Sequence, residues 1–405
     1  MKKFNNKEHD FSSKLRQSSV IQRLKDYISW RRSFKSSDPS EAFPDSGPLS
    51  INLDLTTACN FNCPHCVDSK IINAGKILNT DDVKQTIDTL KSHGLKSVIL
   101  IGGGEPTLHR DFEKIVRHLK NRNLQVGIVT NGSRLHLIKK TAKILEENDW
   151  LRISIDAAIE ETFARSHHPK NNINLKTILS NAQEFKKLNS RISMGYSFVI
   201  EWEGIYINGK ELCPNIDEIS QAVRLAKEYD FDYISFKPCL LKLDYSQKES
   251  LFDPPDKKRE KKVIQKIKSN FQKAKKIANH KIKILESVNL SELMGGKVHE
   301  MKKQPVVCHA QFFRTVVTPS GIFHCPAFRG ADKAKIAGHN GYNSKDRFDI
   351  SQKKLAHSIV NFDAEQECSV IACFYHHLNW WIEDFIHSNK NIDEIEKISD
   401  DNFFL

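Results

Sequence analysis

The stretch Cys59-Asn60-Phe61-Asn62-Cys63-Pro64-His65-Cys66 follows an apolar run and places three cysteines close together. Thiols at this spacing are poorly suited to separate disulfides with distant partners and well suited to sharing a metal. A structural zinc site needs four ligands, and His65 could supply the fourth. Because His65 directly precedes Cys66, its side chain points elsewhere on most backbones. Three thiolates with one open coordination position instead indicate an iron–sulfur cluster with one iron free.

The composition is that of a globular protein with a sizeable core. The chain has 405 residues, of which 39% are hydrophobic and 28% charged, and this length predicts about two or three domains. No apolar run approaches the roughly 20 residues that cross a bilayer, and the basic N-terminus lacks the apolar stretch of a secretory signal. Nine cysteines, most of them in metal-like groupings, indicate a reducing compartment. We therefore expect a cytoplasmic protein without a membrane partner.

The net charge of +12 is concentrated in residues 257–283, which hold twelve Lys or Arg against one Glu. Such a segment can attract phosphates or nucleic acid. Its apolar residues, however, recur at helical spacing and predict an amphipathic helix with a solvated lysine face. We therefore do not expect nucleic acid as a partner.

Residues 50–236 alternate between apolar strands and amphipathic helices. The predicted strands are residues 50–55, 97–101, 125–129, 151–155, 192–200 and 233–236, and the predicted helices are 81–93, 111–121, 135–147, 175–188 and 216–229. This alternation implies parallel strands joined by right-handed crossovers. A doubly wound sheet and a barrel both satisfy the pattern. The unusual residues fall at successive strand ends, which meet at one mouth in a barrel, so a curved, barrel-like sheet is favoured.

Three short motifs lie at the ends of these predicted strands. Gly102-Gly103-Gly104-Glu105-Pro106 follows the second strand; its glycines allow close approach of the backbone to a ligand, and Glu105 can accept from an ammonium group. Thr130-Asn131-Gly132 ends the third strand and also suits an ordinary turn. Arg152-Ile153-Ser154-Ile155-Asp156 alternates polar and apolar residues, which sheet amphipathicity also explains.

Together, the cysteine stretch and these motifs resemble the radical S-adenosylmethionine (SAM) superfamily over about residues 50–240. The resemblance implies an α/β fold with a partial (β/α)6 TIM-like barrel. It also implies a [4Fe-4S] cluster on Cys59, Cys63 and Cys66, whose unique iron binds the methionyl amino and carboxylate groups of SAM. The implied cofactor-binding residues are Phe61, His65, Gly103, Gly104, Glu105, Pro106, Asn131, Ser154, Asp156 and Arg165. Arg165 is expected to pair with the methionine carboxylate, and Arg152 is a competing candidate.

A second set of cysteines follows the predicted barrel and consists of Cys308, Cys325, Cys368 and Cys373. Residues 312–317 and 322–324 predict a hairpin that places Cys325 at its end. The set is similar to the twitch or SPASM C-terminal extension of the same superfamily, which implies an auxiliary [4Fe-4S] cluster in a small α+β extension. The Cys368-x4-Cys373 spacing is loose for that pattern. A structural zinc on the same thiolates and isolated core thiols remain alternatives.

The predicted organisation is an N-terminal helix and linker (1–48), a core barrel (49–240), a basic helical connector (241–300) and an auxiliary cluster domain (301–405). The resemblance implies reductive cleavage of SAM to a 5′-deoxyadenosyl radical that abstracts hydrogen from a substrate. A small polar metabolite, such as a sugar, nucleoside or aminoglycoside-like compound, is favoured because the segment before Ser50 looks too short for a leader-binding domain. A ribosomal peptide is the alternative substrate, and a non-catalytic, RNA-associated metal-binding module is the alternative class. Flavodoxin or ferredoxin is the expected reductant.

Overall fold

The computed structural model describes residues 10–34, 38–207, 209–242, 249–252, 256–279 and 282–405. The start of the predicted N-terminal segment (1–9), the predicted junction of helix and linker (35–37) and parts of the predicted connector (243–248, 253–255 and 280–281) lie outside the described residues. Across the described ranges, no helix combines the length and the apolar character needed to cross a membrane.

A ten-stranded sheet forms the centre of the fold, and two small hairpins accompany it. The strands in chain order are β1 (Ser50–Leu53), β2 (Ser97–Leu100), β3 (Gln125–Thr130), β4 (Trp150–Ser154), β5 (Ser193–Ile200), β6 (Tyr206–Ile207), β7 (Lys210–Glu211), β8 (Tyr233–Pro238), β9 (Leu241–Lys242), β10 (Glu249–Ser250), β11 (Lys283–Glu286), β12 (Arg314–Thr318), β13 (Gly321–Phe323) and β14 (Lys335–Ala337). The large sheet has the order β11-β8-β5-β4-β3-β2-β1-β12-β13-β14. The hairpins are β6–β7 and β9–β10.

The strands from β11 to β12 are parallel, and β13 and β14 are antiparallel additions at one edge. The six predicted strands correspond to β1–β5 and β8, which lie side by side in chain order. The α/β prediction is therefore confirmed. No pairing joins β11 to β14 within the described part of the chain, so the sheet is an open, partial barrel.

Helices connect the strands and cover the sheet. In chain order they are α1 (Phe11–Leu15), α2 (Ile21–Ser33), α3 (Thr80–Ser92), α4 (Phe112–Asn121), α5 (Leu135–Lys139), α6 (Glu160–His167), α7 (Leu175–Leu188), α8 (Ile219–Glu228), α9 (Lys257–Ala278), α10 (Val288–Met294), α11 (Ala310–Phe313), α12 (Lys345–Asn361), α13 (Ala364–Glu367) and α14 (His376–His387). The basic segment forms α9 as predicted, with its apolar face buried.

Residues next to α3 in the sequence determine where this helix begins and ends. The side chain of Asn79 accepts from the N–H of Asp81 and caps the helix, so Asn79 and not Thr80 is the cap. The hydroxyl of Thr80 instead donates to Asp111 at 2.8 Å. Gly94, with φ of +90°, follows the last turn because a residue without Cβ adopts this conformation readily.

The predicted helix over 135–147 is shorter than expected. It ends at Lys139, and a 3-10 turn over Ala142–Ile144 follows. The amide of Asn189 donates to the carbonyls of Ala142 and Leu145, at 2.6 and 3.0 Å. These bonds hold the 3-10 turn against the C-terminal end of α7, where Asn189 is the C-cap residue.

The C-terminal residues return to the N-terminal end of the sheet. The carbonyl of Phe403 accepts from Ser97 Oγ at 2.8 Å, and its N–H donates to Gln125 Oε1 at 2.8 Å. Gln17, which donates to Asp401 at 2.6 Å, lies between α1 and α2, so the predicted N-terminal helix is divided in two. The tail thus closes the end of the barrel opposite the cysteine loop.

Candidate metal centre

The first cysteine set lies in the loop between β1 and α3, at the C-terminal end of the parallel strands. Cys59, Cys63 and Cys66 are half-buried and unoxidised. Burial and, to a smaller extent, the neighbouring Asp68 raise the pKa of the Cys66 thiol to about 12. Burial also raises the pKa of Cys63, with smaller contributions from Cys66 and Cys59. Thiols in such a place become thiolates only when a positive partner arrives, and a metal centre supplies one.

The three sulfurs do not form a compact single-ion site. A tetrahedral zinc with Zn–S bonds of about 2.3 Å holds its sulfurs about 3.8 Å apart. Among the described residues, the one group of three potential ligands within 4.8 Å of one another is Cys63, His65 and His167. The three cysteine sulfurs are therefore spread more widely than one ion requires. A cubane with several irons accommodates that spread and leaves one iron without a protein ligand.

His65 does not complete a zinc site in this arrangement. Its Nδ1 lies 2.7 Å from Glu201 Oε1, and its Nε2 lies 3.5 Å from Asp156 Oδ2. Burial lowers the pKa of His65, but the hydrogen bonds and charges of these two carboxylates outweigh burial and raise it to about 10. A protonated imidazole has two donors and no lone pair, so it cannot be a metal ligand.

His167 ends α6 and contacts the cysteine loop directly. Its Nε2 lies 2.8 Å from the carbonyl of Ile155, and its Nδ1 lies 3.2 Å from Cys63 Sγ. Burial lowers the pKa of His167 to about 4, so the ring is neutral near pH 7. Nε2 donates to the carbonyl, which leaves Nδ1 to accept from the Cys63 thiol. His167 therefore lies against the cluster loop.

The glycine turn packs onto the backbone just before Cys59. The N–H of Glu105 donates to the carbonyl of Ala58 at 2.8 Å. A Cβ added at Gly104 would lie 2.2 Å from the same carbonyl oxygen. The glycine turn and the cysteine stretch are therefore in direct contact. This contact requires a residue without a Cβ, which Gly104 provides.

The carboxylate of Glu105 is buried and joins the ends of β2 and β3. Its Oε1 accepts from the hydroxyls of Thr107 and Thr130, at 2.6 and 2.8 Å, and from the N–H of Thr107 at 3.1 Å. Its Oε2 accepts from the N–H of Asn131 at 2.8 Å. Pro106 begins the short 3-10 turn that follows. Oε2, with a single donor among these contacts, retains capacity for a further donor such as an ammonium group.

Asn131, Ser154 and Asp156 lie at neighbouring strand ends, as predicted. The Asn131 amide donates to Asn60 in the cysteine loop at 2.9 Å and lies 4.0 Å from Cys59 Sγ. Ser154 is half-buried at the end of β4. Asp156 has φ of +53°, a strained conformation for a non-glycine residue, and accepts from the N–H of Val199 at 2.6 Å.

Two predicted cofactor residues lie apart from this group. Phe61 is 1% exposed and packs against Phe163 and His167. The Arg165 side chain is 57% exposed and lies 3.9 Å from Glu161. The competing Arg152 extends from β4, with its guanidinium 5.0 Å from the Trp150 ring centroid. The predicted roles of Phe61 and Arg165 stay predictions.

The second cysteine set surrounds a cavity in the C-terminal region. Cys308, Cys325, Cys368 and Cys373 all line it, together with Arg314. Burial raises the pKa of Cys308 to about 12 and that of Cys325 to about 11. No three of these described sulfurs lie within 4.8 Å of one another. The set is therefore also more widely spaced than a tetrahedral zinc requires.

Several residues of the centre are missing from the sequence-based prediction. Glu201 contacts His65, and Asp54, Asp68 and Arg329 form a buried ion cluster beside the glycine turn. Asp54 and Asp68 flank the cysteine stretch, and this position is the sequence feature that could have identified them as residues of the centre. Nothing in the local sequence marks Arg329 as their partner.

Comparison with known proteins agrees with this geometry. Residues 53–201 match the family model described as the Radical SAM superfamily. Residues 53–201 form a radical SAM domain. Members of this superfamily are iron–sulfur enzymes that use SAM, and the matched region contains the cysteine loop, the glycine turn and β2–β5.

Two curated relatives show how far the sequence similarity extends. The chain is 34% identical over 113 residues to an S-adenosylmethionine-dependent nucleotide dehydratase of Selenomonas ruminantium, covering 28% of this chain and 40% of that protein. It is 34% identical over 116 residues to the mycofactocin maturase MftC of Mycolicibacterium smegmatis, covering 28% of this chain and 29% of that protein. The chain thus spans less than half the length of either relative.

Among solved structures, SuiB of Streptococcus suis bound to the precursor peptide SuiA has the same fold. The TM-score is 0.56 at 15% sequence identity, and the match covers 88% of this chain and 75% of SuiB. The similarity extends past the radical SAM core into the C-terminal region. At this identity it establishes the fold alone.

Proposed function

We propose that the chain cleaves SAM reductively and uses the resulting radical to take a hydrogen atom from a substrate. The observation that carries the proposal is the contact between a three-cysteine loop and two strand-end motifs, through Glu105 to Ala58 and Asn131 to Asn60. When bound, a [4Fe-4S] cluster supplies the electron that converts SAM to methionine and a 5′-deoxyadenosyl radical.

The residues of the chain have separate tasks in this proposal. Cys59, Cys63 and Cys66 hold the cluster and leave one iron open. Glu105 Oε2 accepts from the methionyl ammonium group, and Gly103 and Gly104 let the backbone approach it. A further group of residues would complete the cofactor contacts: Phe61, His65, Pro106, Asn131, Ser154, Asp156 and Arg165, with Arg152 as the alternative to Arg165. An arginine suits the methionine carboxylate because its planar fork matches the two oxygens.

A small polar metabolite is the favoured substrate. A cavity of about 310 Å³ lies inside the partial barrel and is lined by Asn52, Arg152, Tyr233 and Arg314, among others. That volume lies at the lower end of the range for small-molecule pockets. The C-terminal tail also lines the cavity, through Phe404 and Leu405, and closes it at the end opposite the cysteine loop. Similarity to a nucleotide dehydratase also supports a metabolite.

A ribosomal peptide is the second candidate, because the match to SuiB with its precursor peptide covers most of the chain. The two candidates can be separated with an extract of cells grown in heavy water, divided into a small-molecule and a peptide fraction. The enzyme transfers deuterium from its substrate into 5′-deoxyadenosine, which mass spectrometry detects. We expect transfer from the small-molecule fraction. Transfer from the peptide fraction alone would favour the peptide, and no 5′-deoxyadenosine with any fraction would favour the non-catalytic module. Flavodoxin or ferredoxin remains the expected reductant.

We also propose that the second cysteine set holds an auxiliary [4Fe-4S] cluster. Changing Cys325 and Cys368 together to alanine is expected to lower the iron content from about eight to about four per chain, because each cubane contains four irons. The first cluster should keep its spectral response to SAM. Changing Cys213, a buried cysteine outside both sets, to alanine serves as the control. A wild-type chain with about four irons and one zinc would overturn the assignment of the second set.

A further inference from the structure

Arg329 reaches from the C-terminal region into the first metal centre. It follows the short turn Pro326–Phe328 after Cys325, and it is 7% exposed. Its Nε lies 2.9 Å from Asp54 Oδ2. Its Nη1 donates to both oxygens of Asp68, at 2.7 and 2.6 Å. One guanidinium therefore joins the residue after β1 to the segment just after Cys66.

The same ion cluster touches the glycine turn. The N–H of Gly103 donates to Asp68 Oδ2 at 3.2 Å. A Cβ added at Gly103 would lie 3.1 Å from Asp54 Oδ2, and one at Gly102 would lie 3.1 Å from Asp68 Oδ2. The cluster-binding loop and the glycine turn, which the proposed function assigns to iron and to SAM, are thus fixed to each other through these two carboxylates and Arg329.

The charges explain why the arrangement depends on Arg329. Asp54 is 1% exposed, and Asp68 is its near neighbour. Both carboxylates lie against the same guanidinium, with Asp68 14% exposed at its side chain, and their charges repel each other once that cation is removed. A buried ion pair adds little net stability compared with an apolar replacement, but removal of one partner leaves an uncompensated charge. Loss of Arg329 should therefore displace Asp68 and, with it, the Gly103 amide.

We infer that Arg329 is a positioning residue for SAM: it holds the glycine turn in register with the cysteine loop although it belongs to the C-terminal region. This inference rests on the proposed function, since it concerns the same cofactor site. It also predicts that the C-terminal region is a working part of the first site in addition to carrying the second cysteine set.

The test compares Arg329→Gln and Arg329→Lys with Arg122→Gln in the iron-loaded full chain. Arg122 pairs with Asp88 through two hydrogen bonds of 2.6 and 2.9 Å on an exposed surface, so it is a matched control. We expect Arg329→Gln to weaken SAM binding at least tenfold and to raise KM more than it lowers kcat. Arg329→Lys should recover part of the affinity because it keeps the charge. The control should bind as the wild type does.

Hydrogen exchange provides a second readout that does not depend on SAM. The peptide containing Gly103 should exchange faster in Arg329→Gln than in the wild type, while peptides of β3 and β4 stay unchanged. If Arg329 only stabilised the fold, Arg329→Gln would instead speed hydrogen exchange throughout the chain and lower the iron content. The folded fraction would then keep the wild-type affinity for SAM. Wild-type affinity together with wild-type exchange at Gly103 would overturn the inference and leave the proposed function intact. A wild-type chain that binds no SAM but shows the localised exchange would overturn the proposed function alone.

Discussion

Replacing Cys59, Cys63 and Cys66 together with alanine is expected to reduce 5′-deoxyadenosine formation to the uncatalysed level. The three thiols are the protein ligands of the proposed first cluster, and without them no electron reaches SAM. They lie half-buried in a loop, so their loss should change the circular dichroism spectrum and the Tm little. Product formation after anaerobic reduction with dithionite, measured by liquid chromatography, checks the prediction.

The matched control for this variant is Cys239→Ala, which removes a buried thiol at the end of β8 that belongs to neither cysteine set. It should keep the iron of the first site. If the triple variant still turned over SAM, the assignment of the three cysteines would be wrong. An equal loss of iron in the triple variant and the control would point to general misfolding.

Changing Gly104 to alanine should lower kcat/KM by about 100-fold or more, because displacements of about 1 Å at a reactive site have effects of this size. The new Cβ would lie 2.2 Å from the carbonyl oxygen of Ala58 and 2.7 Å from that of Thr56. These are backbone atoms that cannot rotate away as a flexible side chain can. Either the glycine turn or the chain leading to Cys59 must move, which separates the SAM site from the cluster loop.

Steady-state kinetics with SAM as the varied substrate measures this effect. Gly338→Ala is the matched control, because a Cβ there meets Asn340 Oδ1 at an ordinary 3.5 Å. The control should have wild-type kinetics. Wild-type kinetics in Gly104→Ala as well would mean that the contact between the glycine turn and Ala58 is unimportant for the reaction.

The strands that follow one another both in the chain and in the sheet could be predicted from the sequence. The six strands β1–β5 and β8 have apolar runs separated by amphipathic helices, and their order in the sheet follows their order in the chain. The pairing of β12 with β1 was not predicted. It joins Arg314 to Ser50 and Val317 to Leu53, and no periodicity in either segment specifies a partner so distant in the chain.

The candidate site also has residues that the sequence identifies and residues that it does not. The cysteine spacing and the glycine turn identify the first centre because each motif is contiguous. Glu201 and Arg329 were missed because they act through contacts with His65 and Asp68 that only folding creates. The charge of His65 could not be predicted either: it depends on two buried carboxylates from the ends of β4 and β5, and these decide against His65 as a zinc ligand.

The central claim is that the three cysteines leave one iron open for SAM. Electron–nuclear double resonance on the reduced, iron-loaded protein with SAM labelled by nitrogen-15 at the amino group tests it most directly. The account predicts a hyperfine coupling between the cluster and the labelled nitrogen, which disappears in the Cys59/Cys63/Cys66→Ala variant. A reduced [4Fe-4S] cluster at this site that shows no such coupling at saturating SAM would contradict the account.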